Sequence, residues 1–277
     1  CRVAFSAQGP AGRGVPVAGV VLDGGGHVVA RFKSSHLGIG SFFLTPARGV
    51  SYRAAVPLPG GDSLWFALPP VPESSTALSV RDAGDSLDIQ VLRYAGDGAA
   101  PAHYVLAGIS RGIGCFGAVV EVAGQGFQTV RVSRDVFPSG IATLILLTPG
   151  MRPVSRRLVY IRARDTLHVS WHLTHLPGDS LAVGVAVTDS AGRPVSGSFS
   201  VALTDDRRLE ISQPERGSIA SSLLLSSDLS GRVEDPGYYF RQPLTEQVLR
   251  DLDDLLLTQG WADYAPDTTR EGKARYP

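Results

Sequence analysis

Up to about Leu203, hydrophobic and polar positions alternate along short runs separated by glycine- and proline-rich stretches, the period of strands with one buried face. Ser86-Leu87-Asp88-Ile89-Gln90-Val91 alternates cleanly, and Leu181, Val183, Val185 and Val187 share one face opposite Ala182, Gly184 and Ala186. The period changes beyond Ser218. Leu244, Val248, Leu249, Leu252, Leu255 and Leu256 recur every three or four residues, with Glu246, Arg250, Asp251, Asp253 and Asp254 between them. Pro243 before the run and Gly260 after it mark a start and a stop, so a helix is predicted over 244–259. Its leucine face requires a cover.

The strand pattern divides into three modules. The first, 1–70, holds a strand through Val15, Val17 and Gly19–Leu22, a tight turn at Asp23-Gly24-Gly25-Gly26, and a return at His27–Phe32. Tyr52–Val56 and Leu64–Leu68 follow, and Pro69-Pro70-Val71-Pro72 forms a stiff junction. The second, 71–164, adds strands at 86–91, 104–107, 118–122 and 129–132, with the most apolar ones, Gly140–Leu147 and Leu158–Ile161, at its centre. The third, 165–277, pairs Leu181–Val187 with Phe199, Val201 and Leu203 across a turn at Asp189-Ser-Ala-Gly192, then enters the helical segment.

Gly14-Val-Pro-Val-Ala-Gly19 resembles Gly192-Arg-Pro-Val-Ser-Gly197. The separation corresponds to two modules of ~90 residues, near the ~100 of an immunoglobulin-like sandwich. Gly38–Pro46 likewise resembles Gly140–Pro149. The fold class read from these patterns is mainly β, with serial immunoglobulin-like sandwiches and a C-terminal helical segment.

Composition narrows the function classes. The 277 residues carry 26 Lys plus Arg against 26 Asp plus Glu, a balance that gives no electrostatic footprint for nucleic acid or anionic membrane. With 43% hydrophobic residues the chain can bury a core, and 32 Gly with 19 Pro suit many short strands. The longest apolar run, Ile141–Leu147, falls far short of the ~20 residues of a membrane helix. The two cysteines, Cys1 and Cys115, are too few for a disulfide framework. Cys1 in first position admits a lipoprotein reading; Arg2-Val3-Ala4-Phe5 already reads as strand, which favours a chain beginning mid-protein.

Four groups of residues could carry chemistry. Gly108-Ile-Ser110-Arg-Gly112 fits the serine-hydrolase nucleophile elbow, with His168 and Asp165 as paper partners, yet the elbow needs a following helix and Ile113–Val122 reads as strand. Gly112-Ile-Gly114-Cys-Phe-Gly117 has dinucleotide-loop spacing with the same helix missing. His168 and His172 project to one strand face and His175 to the other, which opposes a shared metal. Asp205-Asp206 and Asp253-Asp254 lack calcium-loop spacing and read as solvated charge. No catalytic, cofactor or metal residue is assigned, and no cofactor is expected. Tyr238-Tyr239-Phe240 is different, because three consecutive aromatics cannot all enter one core. Intramolecular packing and partner contact stand as equals there. Tyr238, Tyr239, Phe240 and Trp261 are therefore the candidate partner contacts.

Leu223-Leu-Leu-Ser-Ser-Asp228-Leu-Ser-Gly231, Glu234-Asp-Pro-Gly-Tyr238-Tyr-Phe240 and Leu255-Leu-Leu-Thr-Gln259-Gly-Trp261 resemble the macroglobulin-type envelope proteins of certain Gram-negative bacteria. His36–Phe42, Phe137–Ile141 and Arg156–Tyr160 resemble that family too. The resemblance implies serial macroglobulin β-sandwich domains, often followed by a carboxypeptidase-regulatory-like domain and the plug and barrel of a TonB-dependent receptor. It implies an internal fragment of such a protein, and a protein partner in the envelope, including its own receptor barrel. Cys1 precedes Arg-Val-Ala and Cys115 precedes Phe-Gly-Ala, so neither matches the Cys-Gly-Glu-Gln thioester of protease-trapping macroglobulins. The expected role is a non-enzymatic structural and interaction module at the outer membrane, in the periplasm or at the cell surface. A surface adhesin or glycan-binding sandwich is the alternative, and a serine hydrolase using Ser110 is third.

Overall fold

The computed structural model describes residues 1–96, 98–162, 167–178, 180–198, 200–201 and 217–260. The protein is mainly β, with a short helical segment near its C-terminus. It divides into two compact units: Cys1–Ile161 with Glu215–Pro277, and Arg162–Pro214.

The first unit begins with β1 (Arg2–Ser6), β2 (Ala18–Asp23), β3 (Val28–Lys33), β4 (Ile39–Phe43), β5 (Tyr52–Pro57) and β6 (Ser63–Ala67). One sheet runs β3-β2-β5-β6, and β1 pairs antiparallel with β4 as a second layer. The predicted Asp23–Gly26 turn joins β2 to β3, and Asp23 fixes it by accepting from the backbone N–H groups of Gly25 and His27, both at 2.9 Å. Between the layers Phe5, Phe32 and Phe42 meet at centroid separations of 5.0–6.4 Å, above Val21 and Tyr52. Gly19 leaves the room for Phe32; a Cβ there would lie 2.6 Å from that ring.

Next come β7 (Ser75–Asp82), β8 (Ser86–Tyr94), β9 (Ala102–Ser110), β10 (Ile113–Val122), β11 (Gly126–Ser133), β12 (Gly140–Leu147) and β13 (Pro153–Ile161). A three-stranded sheet, β11-β8-β7, lies over a four-stranded one, β10-β9-β12-β13, with every pairing antiparallel. Leu87, Ile89 and Val91 from one sheet share a core with Tyr104, Leu106, Leu144 and Leu146 from the other. The period-two alternation of 86–91 is the visible trace of that interface. Its opposite face carries Asp88, which is buried between Arg81 and Arg131 at 2.8 and 2.7 Å. Hydrogen bonds from those guanidiniums hold the Asp88 carboxyl down to about 2.

The second unit shows β14 (His168–Leu176) and β15 (Ser180–Thr188), an antiparallel hairpin. The expected return strand at Phe199–Leu203 lies largely outside the described residues. The turn after β15 repeats the turn after β1. In each, a left-handed glycine (Gly12, φ 69°; Gly192, φ 77°) precedes an arginine, and the chain bridges back from Gly14 to Gln8 or from Pro194 to Thr188. The equivalence is thus Gly12 with Gly192, two residues away from the pairing suggested by the letter pattern. The left-handed position, rather than the shared proline, sets the register.

The C-terminal stretch forms α1 (Ile219–Leu224), a 3-10 turn at Pro236–Phe240 and α2 (Glu246–Gln259). Ser218 and Ser221 cap α1 reciprocally. Thr245 caps α2 by accepting from the Val248 N–H at 3.3 Å, and Gly260 ends it. The sequence partition grouped this segment with the third module. Its contacts lie instead in the first unit, with β1, β4 and β13.

Candidate functional site at the seam of the sheet modules

The seam is closed by α2. Leu252, Leu255 and Leu256 are buried against Ile141 of β12 and Leu158 of β13, with Leu225 and Tyr239, while Ile39 of β4 packs at the margin. Those residues come from both sheet modules, and the leucine stripe is therefore covered by two different β-layers.

The flank of the same helix carries the charge. Asp253 accepts from Arg157 of β13 (Nη2–Oδ1, 2.5 Å) and from Arg2 of β1 (Nη1–Oδ2, 2.5 Å), and Arg2 also reaches Asp254. The expectation that Asp253 and Asp254 are solvated charge is corrected here: Asp253 is partly exposed but paired with two guanidiniums, and Asp254 is enclosed. Asp254 is buried, because guanidiniums rising from strands on either side cover the helix beyond its leucine stripe. Asp251, which lies between the periodic leucines in sequence, is 2% exposed; it accepts from the Tyr238 hydroxyl at 2.6 Å and from Gln247 Nε2 at 2.9 Å.

Tyr238-Tyr239-Phe240 form the next layer. His36, in the connection from β3 to β4, lies flat on Tyr238 with centroids 3.7 Å apart and planes 13° apart, and Tyr239 meets it edge-on. Phe240 meets Tyr160 edge-on at 5.9 Å. All three rings thus make contacts within the unit, Tyr239 buried and Tyr238 and Phe240 half-buried; Trp261 lies outside the described residues. Burial, then the hydrogen bond to Asp251, pushes the Tyr238 phenol up to about 12, and burial raises Tyr239 as well. Burial lowers His36 below its ordinary 6.5, opposed by Asp251, Asp235 and Glu234 and aided by Arg241. The imidazole Nε2 is buried with no hydrogen-bond partner among the described residues.

Glu234 adds a third tie, accepting from the Gly14 N–H at 2.8 Å. Beside it opens a cleft of about 230 Å³ between the Gly9–Gly14 turn, Ile39 and the end of α2.

The other sequence candidates are dispersed. Ser110 is buried at the end of β9 and donates to the Ile141 carbonyl at 3.0 Å; a two-residue turn at Arg111-Gly112 then leads into strand β10, not a helix. The Gly112–Gly117 run is that turn and a β-bulge. His168, His172 and His175 lie on β14, where His172 covers Gly184. Among the described residues no three His, Cys, Asp or Glu side chains are placed to hold a metal. Asp165, Asp205 and Asp206 lie outside the described residues. Cys1 and Cys115 are free thiols. No described helix is long and apolar enough to cross a membrane.

Arg2, Arg157 and His36 were missed by sequence reasoning. Arg157 left only a weak signal, as the second of two adjacent arginines inside the strand Pro153–Ile161.

No protein-family model matches the chain, and no curated protein matches it. Among solved structures it is similar to a tetra-tandem repeat in the extending region of a large adhesion protein, at 12% identity and a TM-score of 0.29. That likeness covers 70% of this chain and 62% of the other. It is also similar to the exo-chitosanase CsxA of Amycolatopsis orientalis, at 16% identity and a TM-score of 0.21, over 70% of this chain and 27% of that one. The chain spans less than two thirds of either protein's length.

Proposed function

We propose that the chain is a non-enzymatic structural and interaction module of a cell-envelope protein, the macroglobulin-like extramembrane part of a TonB-dependent receptor or transport-associated protein. Its action is geometric. The observation that carries this reading is the clamp: one helix ties β1 and β4 to β12 and β13 by a leucine core and an Arg–Asp network. Such a joint keeps loops and sheet edges at fixed spacing for a protein partner, the receptor's own barrel included. The envelope assignment is supported by the resemblance of 223–231, 234–240 and 255–261, whose described residues contribute to the clamp. Fractionation of the native host with an antibody to this chain tests it. Recovery with the outer membrane or periplasm is expected, and recovery in the cytosol contradicts the proposal.

One observation favours the adhesin or glycan-binding alternative. Trp65 on edge strand β6 is 52% exposed, with the Arg53 guanidinium 4.4 Å from its ring centroid. Arg53 covers one face of that ring, and the exposed remainder of the indole is the surface offered to a sugar. A glycan array that loses its signal on Trp65→Ala supports that reading; an array with no signal removes it.

A further inference from the structure

The outward face of the sheet β3-β2-β5-β6 carries charge of one sign. Register puts Arg31 of β3, Val20 of β2, Ala55 of β5 and Trp65 of β6 in a single row across it. Lys33 stands two residues along β3 from Arg31. Arg53, two residues along β5 from Ala55, holds its guanidinium over the Trp65 ring. Arg31, Lys33, Arg53 and Trp65 are all exposed, while Ala55 between them is buried.

The other outward positions of these four strands hold Ala, Leu, Val, Pro or Ser, so no strand residue on this face is acidic. Among the described residues Arg31, Lys33 and Arg53 make no ion pair. Asp23, at the end of β2, faces the other way by the two-residue period and is occupied by the Gly25 and His27 N–H groups. Asp62 precedes β6, at the opposite edge of the sheet from Lys33. The sheet β11-β8-β7 supplies the contrast, because there Arg81 and Arg131 close on Asp88 from both sides. The balanced charge of the whole chain therefore hides one cationic face.

We infer that this face binds an acidic polysaccharide whose sugars carry carboxylates. The inference deepens the glycan-binding reading of Trp65 and rests on it. The uncovered part of the indole takes the C–H side of one sugar ring, with the Arg53 charge beside it. Strand spacing of ~4.8 Å sets Arg31 about 14 Å from Trp65, so a run of several sugars lies across the sheet and brings further carboxylates to Arg31 and Lys33. A planar guanidinium matches a carboxylate fork to fork. Single-stranded nucleic acid fits less well, since its platforms stack successive bases on several rings and this face has one.

The test is calorimetric titration of the full chain, at about 0.15 M salt, with four probes. They are an oligogalacturonate, its methyl ester, a neutral glucan of the same length and an oligothymidylate. Saturable binding of the oligogalacturonate that weakens as salt rises is expected, with the ester and the glucan roughly ten-fold weaker or more. Trp65→Ala, and Arg31→Gln combined with Lys33→Gln, all at exposed positions, should each weaken binding roughly ten-fold. Arg152→Gln, an exposed cation between β12 and β13, should leave it unchanged. Equal binding of glucan and oligogalacturonate, lost on Trp65→Ala, overturns this inference and keeps the glycan reading; no binding of any glycan overturns both. Tighter binding of the oligothymidylate, or wild-type affinity in the Arg31 and Lys33 double variant, overturns the inference as well.

Discussion

Arg157 reaches from β13 to Asp253 on α2, Nη2 to Oδ1 at 2.5 Å, from a position only 6% exposed. The same carboxylate receives Arg2 from β1, so one residue of a helix is bound to both sheet modules at once. The Arg157 interaction is not a surface ion pair of the kind that contributes little, because that guanidinium is enclosed. The Arg157 Nη1 is already buried without a partner among the described residues, which makes that guanidinium lean on Asp253.

Asp253→Ala should therefore destabilise the protein. Removing one member of a fully buried pair costs ~3–5 kcal/mol. The Asp253 side chain is 32% exposed, so water reaches it and about 1–3 kcal/mol is expected. Arg157→Met, which removes the charge and its unmet donor while keeping the packing, should cost less. Urea unfolding measures both; a loss below ~0.5 kcal/mol for Asp253→Ala would show that the pair is ornamental.

The leucine stripe gives a second expectation. Leu255 is fully enclosed by Ile141, Leu158 and Leu225, and Leu255→Ala should cost about 2–5 kcal/mol. Leu249, half-buried on the same helix, should cost only ~1 kcal/mol. Equal effects in thermal unfolding would mean that the helix does not bury one face selectively.

His36 makes the seam sensitive to acid. Its folded pKa lies below the 6.5 of the free side chain, chiefly through burial, so the unfolded chain binds the proton more readily. Stability from this group is complete above about pH 6.5 and falls as pH drops from there toward the lowered folded value. His36→Phe keeps a flat ring on Tyr238 and should flatten that part of the urea-midpoint profile. A wild-type profile indistinguishable from the variant's between pH 7.5 and 5 would contradict this account, with Asp251, Asp235, Glu234 and Arg241 then setting the balance.

Much of this fold was legible because its causes are local. The β2–β3 turn follows from Asp23 and its glycines, and the span of α2 from Pro243, Thr245 and Gly260. The leucine spacing also declared that the helix has a cover. What it could not declare was the cover's identity, because Ile39, Ile141 and Leu158 are brought together by chain topology. The charged flank misled for the same reason. Asp253 and Asp254 have the spacing of a wet helix face, and only the distant Arg2 and Arg157 pair them and cover Asp254. The aromatic triplet was readable as packed or presented; His36, which decides the matter for Tyr238, lies far away in sequence.

Ser110 offers a separate check on chemistry. Its hydroxyl donates to Ile141, so Ser110→Ala should cost roughly 1 kcal/mol of stability and leave any ester hydrolysis by the preparation unchanged. A hydrolase activity abolished by Ser110→Ala at unaltered stability would instead make that serine a nucleophile.

Native-state hydrogen exchange on the intact chain tests the clamp most directly. If α2 joins the two sheet modules, amides of α2, β4 and β13 should open with one shared free energy, and Asp253→Ala should lower all three together. Exchange of α2 at low free energy while β4 and β13 stay protected, with Asp253→Ala affecting the helix alone, would contradict the claim that this helix holds the modules as one body.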